Sequence, residues 1–173
     1  MREADLTPSV VSVNSAFLAC VQNGQSSWAV SLIDDFQVQH VTPSVLSFNE
    51  AMSACQTCER WNCALALLDK MRRGGATPDV VSFSVAISAC QRASQWQHAL
   101  PLLAEMYEAG VTPDLGMFNL AMSLYQKAGQ WRDAFLLFDE MRAASVTPGV
   151  GSFNSAISLC DKSGQWQCAS WLF

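Results

Sequence analysis

Histidine and positive charge are both scarce in this chain. Its 173 residues hold only two histidines, His40 and His98, neither with a serine, cysteine or carboxylate at a repeated or motif-like spacing. No nucleophilic or acid-base site can be assembled around them. No glycine-rich phosphate loop occurs. No apolar run approaches the roughly 20 residues of a membrane span, and the chain does not open on the basic, apolar, small-residue series of a signal peptide. Ten Lys+Arg against fifteen Asp+Glu give a net charge of -5. A nucleic-acid binder is more often basic, so the positions of the few cations matter more than their sum. Charged residues make up 14% and hydrophobic ones 50%, which excludes a disordered polar chain. The expectation is a folded, non-enzymatic protein with no cofactor, no metal, no membrane contact and no small-molecule substrate.

What the sequence does have is a period. Thr-Pro recurs at Thr7-Pro8, Thr42-Pro43, Thr77-Pro78, Thr112-Pro113 and Thr147-Pro148, always 35 residues apart. A fixed interval of that size marks one supersecondary unit copied along the chain, each copy burying its apolar face against its neighbours. The frames are residues 10–44, 45–79, 80–114 and 115–149, with a truncated copy at 150–173. Residues 1–9 read as the tail of a preceding copy and its junction, because MREADLTPSV aligns with MRAASVTPGV at 141–150. Both ends therefore look like cuts through a longer array.

Each frame begins with an amphipathic stretch such as VLSFNEAMSACQT from Val45, then breaks at Gly24, Glu59, Ser94, Gly129 or Gly164, then resumes as in WNCALALLDKMRR from Trp61. Ser9, Ser44, Asp79 and Asp114 after the proline can cap the following helix, and Gly149 cannot. Alanine columns at Ala16, Ala51, Ala86, Ala121, Ala156 and at Ala29, Ala64, Ala99, Ala134, Ala169 mark close helix approach. The expected fold is all-α: helix-turn-helix repeats stacked in a right-handed α-solenoid superhelix, one continuous domain. Pro101, inside the third copy's second helix, should kink that helix or delay its start.

Two columns invite other functions. Cys20, Cys55, Cys90 and Cys160 share one position with Tyr125, and a semi-buried packing role fits them better than a metal or redox centre at Cys55, Cys58 and Cys63. Trp61, Trp96, Trp131 and Trp166 open the second helices, where packing between repeats outweighs a base-stacking platform. The acids Asp34, Asp35, Asp69, Glu105, Asp139 and Glu140 also fall in second helices and are expected to form a solvated face.

Written as one unit, the copies give (V/L)xSFNxAxSxCQKxGxWxxALxLLxEMxxxGVTPD. This resembles the pentatricopeptide repeat family over essentially the whole chain, in its subclass of uniform 35-residue repeats. The tetratricopeptide repeat has a period of 34 and lacks the Thr-Pro-Asp junction. The resemblance implies single-stranded RNA as partner, one base per repeat, in RNA processing, stabilisation or translation within a chloroplast or mitochondrion. It implies base readout by Asn14 with Ser44, Asn49 with Asp79, Ser84 with Asp114, and Asn119 with Gly149, with Asn154 the first half of a fifth pair. By the family's code the first pair favours C among pyrimidines, the second U and the third G, while the fourth is ambiguous. It implies aliphatic base sandwiching by Val11, Leu46 and Val81, a column in which Gly116 and Gly151 depart. It also implies phosphate contacts from Arg92, Lys127 and Lys162, a column where Gln22 and Thr57 do not qualify. A scaffold for protein partners, binding a helix or peptide without RNA readout, is the alternative. A peptide groove would give no reason for Asn or Ser in the first helix to be matched with Asp at the junction.

Overall fold

The computed structural model describes residues 44–57 and 59–164, with residues 15, 16, 19, 20 and 23 ahead of them. Val11, Asn14, Gln22, Asp34, Asp35, His40, Cys58 and Trp166 lie outside the described residues. Among the described residues there are seven helices: α1 (Val45–Thr57), α2 (Trp61–Arg73), α3 (Val80–Arg92), α4 (Trp96–Glu108), α5 (Leu115–Ala128), α6 (Trp131–Ala143) and α7 (Val150–Ser163). They fall into two compact units divided between Ser94 and Gln95, α1 to α3 in the first and α4 to α7 in the second.

In the first unit α1 packs on its hairpin partner α2 and on α3, the first helix of the next copy. In the second unit α5 stands in the same relation to α6 and α7. The buried side chains follow helical spacing: Cys63, Ala64, Leu67, Leu68 and Met71 on α2, and Ala134, Leu137, Phe138 and Met141 on α6. Each large apolar side chain buried in this way contributes about 1.5–3 kcal/mol. The alanine columns are buried where described, at Ala51, Ala86, Ala121 and Ala156 and at Ala64, Ala99 and Ala134, so the smallest side chains stand between packed helices.

The turns repeat as closely as the helices. One or two residues past α1, α3, α5 and α7 the chain takes a left-handed conformation, at Glu59 (φ 56), Ser94 (φ 58), Gly129 (φ 72) and Gly164 (φ 67). Glycine adopts it without penalty, whereas Glu59 and Ser94 incur roughly 1–2 kcal/mol each. The bond from Arg60 N–H to the Cys55 carbonyl at 2.8 Å, matched by Gln130 N–H to Tyr125 at 2.9 Å, closes both hairpins alike. Two sequence expectations change. Pro101 does not delay its helix: α4 begins at Trp96, in register with Trp61 and Trp131, and the proline sits exposed within it. Its missing bond falls near the start of the helix, where a solvent-facing ring is accommodated. The shared column is half-buried at Cys20 and Tyr125 as expected but fully buried at Cys55, Cys90 and Cys160, and burial pushes the Cys90 thiol up to about 11. Among the described residues no helix is long and apolar enough to cross a membrane.

Candidate nucleic-acid interface

Packing of one first helix on the next brings the fifth residue of a copy to the residue that caps the following one. In the first unit these are Asn49 of α1 and Asp79 at the start of α3, and Asn49 Nδ2 donates to Asp79 Oδ1 at 3.2 Å. Asp79 is held by its capping duty. Its backbone is extended (φ -103, ψ -179) and the same Oδ1 accepts the Ser82 backbone N–H at 2.8 Å. Ser82 completes the capping box, its Oγ accepting the Asp79 N–H at 3.2 Å. That hydroxyl lies 2.7 Å from Asn49 Oδ1 and 2.8 Å from Asp79 Oδ1, two acceptors for one proton. Burial raises the Asp79 pKa, but the hydrogen bonds from Ser82 and Asn49 outweigh it and hold the carboxyl below its ordinary value of 3.8. Asp79 is therefore an acceptor only. Asn49 is 8% exposed, and its second amide proton and Asp79 Oδ2 take no partner among the described residues.

Beside this pair the aliphatic side chains of the two helix starts stand in solvent, Leu46 at 66% and Val81 at 47% exposure. The exposed leucine and valine leave apolar surface at the same two helix starts that carry the polar pair. Ser44 repeats the cap one copy earlier, accepting the Ser47 N–H at 3.2 Å, with the two hydroxyls 3.0 Å apart. Its expected partner Asn14 is outside the described residues.

The second unit holds a reduced version. Ser152 Oγ donates to Asn119 Oδ1 at 2.6 Å, but Gly149 precedes α7 with an extended backbone and no side-chain cap. Nothing lies within 4 Å of a Cβ built on Gly149, and one built on Gly151 would stand 4.0 Å from both Asn119 amide atoms. The cell around Asn119 thus has neither an acid nor an aliphatic wall at Gly116 and Gly151. Ser84 and Asp114 belong to different units and are described singly. Ser84 Oγ donates to the Val81 carbonyl at 3.0 Å, and Asp114 Oδ1 accepts the Met117 N–H at 2.7 Å. Asn154 is exposed on α7.

Arg92, Lys127 and Lys162 are exposed in the last turns of α3, α5 and α7, where a cation also complements the helix dipole. Thr57 takes that place on α1 and donates to the Ala54 carbonyl at 2.8 Å. A second polar rung ties successive first helices near these ends, Gln56 Nε2 to Ser88 Oγ at 2.7 Å and Gln126 Nε2 to Ser158 Oγ at 2.8 Å. The acids of the second helices are not all simply solvated. Asp69 pairs with Arg73, and Glu140 accepts the Tyr107 hydroxyl at 2.9 Å. Burial first, then Glu140, pushes the Tyr107 pKa up. Cys63 hydrogen bonds with Cys55, which lowers its pKa against the opposing effect of burial.

Sequence reasoning missed Ser82 and Ser152. The signal was the serine two places before each Asn or Ser reader, Ser12, Ser47, Ser82 and Ser152, broken only by Met117. A buried polar column beside a reader column asks what it bonds to.

A pentatricopeptide repeat domain model matches residues 1–57, 66–128 and 101–163. Comparison with curated proteins finds no match. Among solved structures, the pentatricopeptide repeat protein PPR10 from maize is similar over 95% of this chain and 24% of its own, at 19% identity and a TM-score of 0.74. PPR10 in complex with an 18-nt psaJ RNA element is similar over 95% and 28%, at 21% identity and a TM-score of 0.62. The PPR domain of Arabidopsis thaliana protein-only RNase P 1 in complex with tRNA is similar over 91% and 83%, at 14% identity and a TM-score of 0.71. At these identities the likeness shows the fold. The chain spans about a quarter of the PPR10 chains it matches.

Proposed function

Because the chain belongs to the pentatricopeptide repeat family, we propose that it binds single-stranded RNA and selects bases through Asn14 with Ser44, Asn49 with Asp79, and Ser84 with Asp114. Asn119 and Asn154 are weaker readers, Val11, Leu46 and Val81 flank the bases, and Arg92, Lys127 and Lys162 meet phosphates. Two of the similar structures hold RNA, the psaJ element and tRNA. The observation that carries the reading is the junction at Asn49 and Asp79, a donor and an acceptor 3.2 Å apart, with an exposed aliphatic side chain at the start of each of the two helices.

The two groups left over there, an Asn49 N–H and Asp79 Oδ2, set a donor beside an acceptor. For a ring held in one orientation by its backbone, positions 4 and 3 of uracil present acceptor then donor, which complements the pair, whereas cytosine presents donor then acceptor. Guanine has uracil's order on a larger ring and is the expected second choice. The site of action is a chloroplast or mitochondrion, and the role is RNA processing, stabilisation or translation.

The test is binding of a labelled single-stranded RNA carrying C-U-G against a scrambled control at low and moderate salt. Preference for C-U-G, with a salt slope of about -2 from three phosphate contacts at roughly -0.7 each, supports the reading. Folded, helical protein that binds neither RNA, or both equally, overturns it in favour of a protein-interaction scaffold.

A further inference from the structure

An asparagine makes a poor reader on its own, because a half-turn of its amide exchanges a donor for an acceptor at the same place. We propose that Ser82 is a specificity-determining positioning residue, whose buried hydroxyl donates to Asn49 Oδ1 at 2.7 Å and so fixes the amide in the one orientation that presents an N–H to the base. The inference rests on the RNA readout proposed above.

The hydrogen-bond inventory leaves little freedom. An ionised carboxylate cannot donate, so the Asn49 atom facing Asp79 Oδ1 must be nitrogen, and the atom facing Ser82 is the carbonyl oxygen. The Asn49–Asp79 contact, at 3.2 Å, is the longer of the two, and Ser82 is fully buried, where water does not replace a lost donor. Ser82 has one proton and two acceptors within 2.8 Å. Given to Asp79, it would add to an oxygen already served by two N–H groups and leave Asn49 Oδ1 without a donor. Given to Asn49, it supplies that carbonyl while Asp79 Oδ1 keeps its two N–H donors, and only the second Asn49 N–H and Asp79 Oδ2 stay open.

The sequence carries an independent mark of the same device. Thirty-three residues after Asn14, Asn49 and Asn119 stand Ser47, Ser82 and Ser152, whereas 33 residues after Ser84 stands Met117. A serine reader has a single oxygen and no two ends to distinguish, so no partner hydroxyl is required there. At Asn119 the serine is present without an acid. A hydroxyl accepts from an amide as readily as it donates to one, so Ser152 alone does not choose the orientation.

The experiment uses four C-X-G RNAs differing only at the central base, bound to the wild-type chain, Ser82→Ala and Ser82→Thr, with helicity checked by circular dichroism. The expected result is that Ser82→Ala narrows the preference for U over C by about fivefold, one neutral hydrogen bond. Preferences at the flanking positions should stay unchanged, and Ser82→Thr should keep the wild-type ranking. A wild type indifferent to the central base overturns the readout itself. A wild type that discriminates, beside a folded Ser82→Ala that discriminates equally, overturns the positioning role alone. The Asn49 side-chain amide protons, followed by NMR without RNA, report independently of any variant's folding. One proton protected from exchange supports the lock, and a pair exchanging as freely as in an exposed asparagine overturns it.

Discussion

At Asn49 and at Asn119 the same asparagine meets the same serine hydroxyl, at 2.7 Å and 2.6 Å, yet the cells around them differ. The first has Asp79 as cap and acceptor, with Leu46 and Val81 as walls. The second has Gly149, Gly116 and Gly151 in those three places. Acid and walls are lost together while the asparagine and serine stay. The retained pair is part of the packing between first helices, so it persists where the acid and the exposed aliphatic side chains have gone. The difference separates what holds two copies together from what a base would touch.

The comparison is broken most strongly by removing the first cell's polar pair. Asn49→Ala should lose about 10–100-fold of the preference for U at that position, the equivalent of a hydrogen bond to a charged partner, with the flanking positions unaffected in competition binding. Asp79→Ala should do the same and also lower stability by about 1 kcal/mol through loss of the helix cap, read in thermal melts. The comparison is sharpened by building the second cell up. Gly149→Asp meets no atom within 4 Å at its Cβ and inherits an extended backbone suited to a cap. It should gain about tenfold selectivity beside Asn119 and a few tenths of a kcal/mol of stability.

Smaller effects are expected from the walls. Gly151→Val places its Cβ at ordinary contact distance from Asn119 and should tighten binding about fivefold for all four bases alike. Gly116→Val should gain less, because its Cβ would lie 3.3 Å from the Asp114 Oδ1 that caps α5. The smallest effect is one of pH. Because the folded Asp79 pKa lies below 3.8, the stability it contributes is full above that value and is lost as pH falls through the depressed one. The difference in melting temperature between the wild type and Asp79→Asn should be constant above about pH 5 and shrink only in strong acid. Asn119 and Gly149 supply no counterpart.

Much of the scaffold was legible before any coordinates. The 35-residue period, the alanine columns and the capping role of Asp79 and Asp114 are local or nearest-neighbour features, and such features repeat visibly in a solenoid. The pairing of Asn49 with Asp79 followed from family resemblance, and their contact from α1 lying on α3. Ser82 escaped notice because an early-helix serine has an ordinary local use as a capping-box member, and only the neighbouring helix reveals its second bond. The delayed start offered for Pro101 did not occur because a proline's effect depends on which carbonyl it faces and whether its ring meets solvent. Cys20 is half-buried as expected, whereas Cys55, Cys90 and Cys160 were placed too far out because a small thiol gives no periodic signal to separate half burial from full burial.

The contact between Asn49 and Asp79 joins the start of one copy to the last residue of the same 35-residue frame, which is also the cap of the next helix. A duplication or exchange with its breakpoints at the very start of a first helix, between Asp79 and Ser84 for example, carries each asparagine together with its own acid. One that breaks at the Thr-Pro turn separates them and pairs every reader at the seam with a stranger. In an array built by copying, the position of the genetic cut therefore decides whether a new repeat brings its own polar pair or re-pairs its neighbour's asparagine.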